Sequence, residues 1–281
     1  MPAQARKYPV GLQSFESIRQ DGYVYIDKTP LIHKMVSSGK FYFLNRPRRF
    51  GKSLLCSTLE AFFAGRSELF EEFTTEEGVE QPQLFIATTR WKWEKHPVIR
   101  FDFSQGRELS LNALDQLIDR TLTCYEHLYG INPQFPGFNL RLMGIIEEAH
   151  QQTGRRAVVI VDEYDNFMLH SIGDKELETE VRKRFSSLFC PLKSLDDHLR
   201  FVFITGISKF SQMGIFSTLN NLTNISMTAD YETLCGITEE ELTAANMMNT
   251  RWGSQRRGAS GLCPLPLSAC HGRDGAYISL N

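Results

Sequence analysis

The chain has 281 residues, 42% hydrophobic and 23% charged, with a formal net charge of −2. That length suits one large domain or two modest ones, and the composition excludes extensive disorder. The near-neutral balance supplies no electrostatic reason for nucleic acid or an anionic membrane to be a dominant partner.

Residues 1–28 read as an irregular N-terminal segment packing on the core, with a short amphipathic piece at "SFESIRQDG" and a β-like "YVYID". Thr29 then reads as an N-cap, with Pro30 at the first helical position, opening a helix over "LIHKMVSSG" that Gly39 closes. "FYFLN" (41–45) is a short apolar run rich in aromatics, as expected of a buried parallel strand. From Lys52 the apolar spacing becomes Leu54, Leu55, Leu59, Phe62 and Phe63, one face of a helix ending at Gly65.

A second strand is predicted within "PVIRFDFS" (97–104). Two long helices follow, "SLNALDQLIDRTLTCYEHLYG" and "LRLMGIIEEAHQQTG", the second ending at Gly154. A third strand is "AVVIVDEYD", then a charged helix over about 174–189, a fourth strand "LRFVFITG" and a candidate fifth at "TNISMT". Strands alternating with helices imply crossover connections and a mostly parallel sheet covered on both faces. The expected fold is a three-layer α/β/α sandwich with about five strands. After about residue 245 helical periodicity stops, and Asp274 is the sole acidic residue of a Gly-, Pro- and Ser-rich stretch. Residues 245–281 are therefore expected to be a poorly ordered tail. They read like unrelated sequence joined to a well-patterned domain, as a frameshift or early termination produces.

The chemistry concentrates at "RPRRFGKS". A phosphate-binding loop needs an entering strand, backbone N–H groups curled around the anion, and a helix beginning just beyond. "FYFLN" is the entering strand, and Lys52 and Ser53 open the helix, whose N-terminus adds partial positive charge. In that reading Lys52 reaches the β- and γ-phosphates, Ser53 ligates Mg²⁺ and Gly51 admits close backbone approach. Arg46 departs from the pattern, because it stands where such loops have their first glycine. The loop must then turn differently, with Pro47 fixing one φ angle. Arg48 and Arg49 either add charge near the phosphates or solvate the loop.

"AVVIVDEYD" ends a hydrophobic strand in two adjacent acids. Asp162 is the candidate Mg²⁺ anchor and Glu163 the residue that polarises an attacking water. Acids at the carboxyl end of a parallel strand face the crevice where ligands bind in open α/β sheets. The bland alternative makes Asp162, Glu163 and Asp165 the polar start of a loop or a helix cap; the upstream GKS favours the functional reading. Thr205, with Ser208 and Lys209 behind it, ends the next strand as either a phosphate or water sensor or a residue leaving the core. Asp102 and Ser104 close the second strand and could line the same crevice, on weaker grounds. "RWKWEKH" (90–96) could stack on nucleic acid, but a solvated loop is the safer reading. The seven histidines are dispersed, and the six cysteines lack a CxxC pair, so neither zinc nor a disulfide framework is expected. "MPAQARKYPVG" lacks a secretory apolar segment, and the longest apolar runs are strand-sized, which makes the cytoplasm the expected compartment.

Taken in order, "YVYIDKTPLI", "FLNRPRRFGKSLLCSTLEAFF", "PVIRFDFS", "VVIVDEYD" and "FITGISKFSQMGIFSTLNNLTNIS" resemble a family of AAA-ATPase-like proteins over about residues 8–243. The RPRRFGKS form is that family's own loop, so Arg46 ceases to count against it. The resemblance implies a P-loop NTPase fold over 29–244 with ATP and Mg²⁺ as ligands. It makes Lys52 and Ser53 the Walker A pair and Asp162 and Glu163 the Walker B pair. The stretch Arg46, Pro47, Arg48, Arg49, Phe50, Gly51, Lys52, Ser53 and Leu54 is then the nucleotide-contacting loop. Asp27-Lys28-Thr29 is a hallmark without an assigned role. Members usually continue into a helical segment and a nuclease-like domain that the tail here does not match. A lid arginine and nuclease activity are therefore expected to be missing, and nucleic acid enters only through that association. Two functions compete: an ATPase switch acting on an unidentified protein partner, and a nucleotide-binding module with little turnover. A P-loop kinase is a third reading, disfavoured because two adjacent acids suit activation of water better than an acceptor substrate.

Overall fold

The computed structural model describes residues 6–105, 110–131, 137–207 and 221–245, with the backbone of 268–272 and 275–279. In chain order, α1 (Phe15–Gln20) and α2 (Thr29–Ser38) precede β1 (Phe41–Asn45) and α3 (Lys52–Phe63). Two short strands, β2 (Phe73–Thr74) and β3 (Glu80–Gln81), and the one-turn α4 (Phe85–Thr88) follow. Then come β4 (Val98–Asp102), α5 (Leu111–Tyr129), α6 (Phe138–Thr153), β5 (Ala157–Asp162), α7 (Asn166–His170) and α8 (Lys175–Phe189). The series closes with β6 (Leu199–Gly206), β7 (Thr223–Asn224), β8 (Ile237–Thr238), β9 (Ser268–Gly272) and β10 (Gly275–Ser279). These elements fall into two compact units. One comprises Ser38–Arg46 and Glu94–Thr228; the other comprises Met1–Ser37, Pro47–Trp93 and Ala229–Asn281.

The first unit holds a five-stranded sheet in the order β4-β5-β6-β1-β7, with every neighbouring pair parallel. Every residue of β5 is buried, which is why its sequence is a continuous apolar run without alternation. On one face Ile99, Phe101, Val159, Val161, Val202 and Ile204 pack with apolar side chains of α5, α6 and α8. Burying each such side chain contributes about 1.5–3 kcal/mol. On the opposite face Tyr42, Val158, Ile160, Phe201 and Phe203 are also buried. The result is the expected α/β architecture, a parallel sheet flanked by helices. Its helices stop and start where local chemistry dictates. Ser110 Oγ accepts the Ala113 N–H, the Asp174 carboxylate accepts the N–H groups of Glu176 and Leu177, and α5 ends on Gly130 at φ 65°.

The second unit contains α1, α2, α3 and an aromatic cluster in which Phe62 packs on Trp91 with ring centroids 4.9 Å apart and Phe70 on Trp93 at 4.9 Å. The half-buried tryptophans of "RWKWEKH" are thus occupied with phenylalanines. Arg19 is fully buried, and its guanidinium donates to the carbonyls of Leu69, Glu71 and Pro82 and to Gln81 Oε1. No carboxylate faces it in those bonds, and burial pushes its pKa down to about 10.

Two local expectations change. "YVYID" forms no strand beyond a single bridge between Lys7 and Tyr23. Thr29 is not the cap of α2: the Lys28 carbonyl accepts the Leu31 and Ile32 N–H groups, and Asp27 Oδ1 accepts the Thr29 N–H. Within residues 245–281, β9 and β10 form a hairpin, and β10 pairs antiparallel with β8. The remainder of that segment lies outside the described residues, as do Ser208 and Lys209.

Candidate functional site

Asn45 ends β1 and pairs with Gly206 of β6, and the ladder runs one residue further because the Arg46 N–H donates to the Gly206 carbonyl at 3.1 Å. The Arg46 guanidinium donates to the carbonyls of Asn45 and Ser226. Arg46 is therefore an extension of the strand, and the left-handed backbone falls on Arg49 (φ 65°) and Gly51 (φ 80°). The loop makes its turn three residues later, where an exposed arginine tolerates φ > 0 at a cost of about 1 kcal/mol.

Gly51 is the cap residue of α3, and its carbonyl accepts the Leu55 N–H at 3.0 Å. No acidic side chain occupies the first turn of α3, so its N-terminal partial charge is not neutralised there. Lys52 is buried, and its ammonium donates to the Pro47 carbonyl at 2.9 Å. The loop thus wraps its own lysine at a helix N-terminus, an arrangement complementary to an anion. The Phe50 carbonyl accepts the Gly236 N–H at 2.9 Å, which ties the loop to the segment just before β8. Ser53 and Leu54 are half-buried in the first turn, and Arg48 is exposed beside the loop, as are Pro47 and Gly51.

The carboxyl ends of β4, β5 and β6 bring a second group together. Asp102 pairs in register with Asp162, and Thr205 is the penultimate residue of β6. Asp162 is fully buried. Its Oδ1 accepts the Thr205 hydroxyl at 2.8 Å, and its Oδ2 lies 3.5 Å from Arg100 Nη2. Among the described residues Oδ2 accepts no hydrogen bond. A buried carboxylate oxygen left open in this way fits a hard cation, which ligates through oxygen. Thr205 also accepts the Glu163 N–H through Oγ1 at 3.3 Å, and its carbonyl accepts the Tyr164 N–H at 3.1 Å. These bonds hold Glu163 at φ 51°, a left-handed conformation that is strained for a side chain with a Cβ. Glu163 is partly exposed while its neighbours on both sides are buried.

The remaining acids have structural duties. Asp102 accepts from Ser104 N and Oγ and from Gln105 Nε2, capping the turn that ends β4. Asp165 is fully buried and accepts the Ile207 N–H at 2.8 Å, so it braces the exit of β6. Asp27-Lys28-Thr29 acquires a role. Asp27 Oδ2 and Thr29 Oγ1 accept the N–H groups of Phe85 and Ile86, and Thr29 Oγ1 donates to Asp27 Oδ1. Lys28 binds both carboxylate oxygens of Glu241, at 2.6 and 2.7 Å. Glu241 and Thr238 exchange the reciprocal bonds of a capping box at the start of the helix from residue 239. The motif is a brace within the second unit.

Arg100 escaped the sequence reading, although a cation two residues before Asp102 inside an apolar strand was a usable signal. Lys28's partner lies far along the chain and left no local signal.

A family model described as Predicted AAA-ATPase matches residues 9–216. An uncharacterized protein of the vnfD 5′ region of Azotobacter chroococcum mcd 1 is 38% identical over 241 residues, which are 85% of this chain and 44% of that relative. The chain therefore spans less than half of that relative's length. No solved structure matches it significantly.

Proposed function

The chain belongs to the predicted AAA-ATPase family, and on that premise we propose that it binds Mg·ATP and hydrolyses it to switch a protein partner. The family itself implies nucleotide binding. The observation that carries the reading is Lys52, a buried ammonium wrapped by its own loop at the N-terminus of α3. Such a cation gains most from an anion that replaces a neutral carbonyl.

Lys52 and the first amides of α3 bind the phosphates. Ser53 and Asp162 are the residues that would hold Mg²⁺, which supplies positive charge against the phosphate oxygens. Joining them in one site rests on the motifs and their order in the chain. Glu163, partly exposed and held in a strained backbone, polarises the attacking water and accepts its proton. Thr205, expected as a sensor, has its hydroxyl committed to Asp162 and so acts through that carboxylate.

Titration of Mg·ATP into wild type and Lys52→Ala tests the binding half. A charge-assisted contact contributes about 1.5–3 kcal/mol, so the variant should bind roughly ten- to a hundredfold more weakly. Equal affinities would remove Lys52 from the site. Glu163→Gln should keep binding but lower phosphate release by about a hundredfold or more. Wild type releasing no more phosphate than that variant would leave a nucleotide-binding module without turnover.

A further inference from the structure

Resting on the reading of Asp162 as the magnesium anchor, we infer that Arg100 is its resident counter-ion, which is displaced when the metal arrives. β4 and β5 run parallel with Asp102 opposite Asp162 and Arg100 opposite Ile160. With a side-chain period of two, Arg100, Asp102, Ile160 and Asp162 share one face of the sheet. Arg100 is thus set one pair behind Asp162 and reaches forward to it, Nη2 standing 3.5 Å from Oδ2.

The two oxygens of Asp162 are held differently. Oδ1 receives a hydrogen bond of 2.8 Å from a fully buried threonine, which fixes the carboxylate's orientation. Oδ2 accepts no hydrogen bond among the described residues and faces Arg100 at a distance beyond the 2.7–2.9 Å of a charge-assisted bond. Arg100 therefore supplies charge to Oδ2 without the short directional bond that would commit that oxygen.

The two neighbours of Asp162 also differ in exposure, Thr205 being fully buried. The side chain of Arg100 is 21% exposed and that of Asp162 1%. A long arginine whose stem lies on the sheet can withdraw its head to water, whereas Thr205 cannot. The backbone of Arg100 stays put, because its N–H on the edge strand donates to Tyr125 Oη at 2.7 Å. Among the described residues Oδ2 is thus left without a hydrogen bond and covered by a charge that the metal can replace. Arg100 is a positioning residue that sets the metal concentration needed to load the site.

Mn²⁺, read by loss of its free-ion electron paramagnetic resonance signal, is the probe, used on the full chain without nucleotide. Arg100→Met should bind Mn²⁺ at least tenfold more tightly than wild type, while its metal-free melting temperature falls. Arg100→Lys should resemble wild type in both. A merely structural arginine would weaken stability and metal binding together. Arg100→Gln, which keeps a polar but uncharged head, carries the same expectation should the methionine variant not fold. Unchanged or weaker Mn²⁺ binding in the folded neutral variant, with binding abolished in Asp162→Asn, overturns the counter-ion assignment and leaves the Walker reading standing. Mn²⁺ binding undiminished in Asp162→Asn overturns both.

Discussion

A Cβ placed on Gly206 would lie 2.5 Å from Tyr164 Cε1 and 2.8 Å from Asp165 Oδ1, closer than real Cβ atoms approach. Both neighbours are fully buried, and Asp165 is bonded to the Ile207 N–H, so neither can retreat cheaply. Gly206→Ala should therefore destabilise the protein by about 1–3 kcal/mol, the usual cost of overpacking, measured as a lower denaturant midpoint with an unchanged m-value. Full stability in that variant would show that Tyr164 has room to move. The glycine's necessity was invisible in "FVFITG", because the clash comes from residues on a different strand end. Asp162 and Glu163 were legible, since two acids closing an apolar strand stand out against it. The distinction between them was not. Burial of Asp162 and the left-handed backbone of Glu163 follow from Thr205 bonding to both, a contact between neighbouring strands.

At the scale of elements, the long helices were readable from periodicity and most of their ends from capping chemistry, the start of α2 excepted. Asp174 and Ser110 cap as their positions suggest, and Gly130, Gly154 and Gly65 take positive φ where helices end. The short α4 was not readable, because four residues carry no periodicity. Its N-terminus is made by the carboxylate of Asp27 and the hydroxyl of Thr29 from another part of the chain. Asp27→Ala should cost about 1–2 kcal/mol, the usual loss for a cap, because Phe85 N–H and Thr29 N–H both lose their acceptor. Glu241→Gln should cost about as much by leaving a mostly buried Lys28 without its anion. The two losses should add in the double variant to within about 0.5 kcal/mol, since the two carboxylates share no hydrogen-bond partner. Strong coupling in a double-mutant cycle would mean that Asp27-Lys28-Thr29 works as one indivisible unit.

For the whole molecule, binding and stability are linked by mass action. Mg·ATP at about a hundred times its dissociation constant adds about 2.7 kcal/mol to the folded state. In a chain of this size that corresponds to a melting temperature raised by roughly 5–10 °C, at about 2–4 °C per kcal/mol. Differential scanning fluorimetry should show the rise in wild type and its loss in Lys52→Ala; equal shifts in both would place the nucleotide elsewhere. The sequence by itself determined the α/β class, the parallel strands, most helix ends and the GKS and Asp-Glu motifs, because each is encoded in contiguous residues. It could not determine that β1 inserts between β6 and β7, that Arg46 prolongs a strand while Arg49 makes the turn, or that Arg100 faces Asp162. Those were decided by tertiary structure, because strand order and the partners of buried charges depend on residues brought together only when the sheet closes around them.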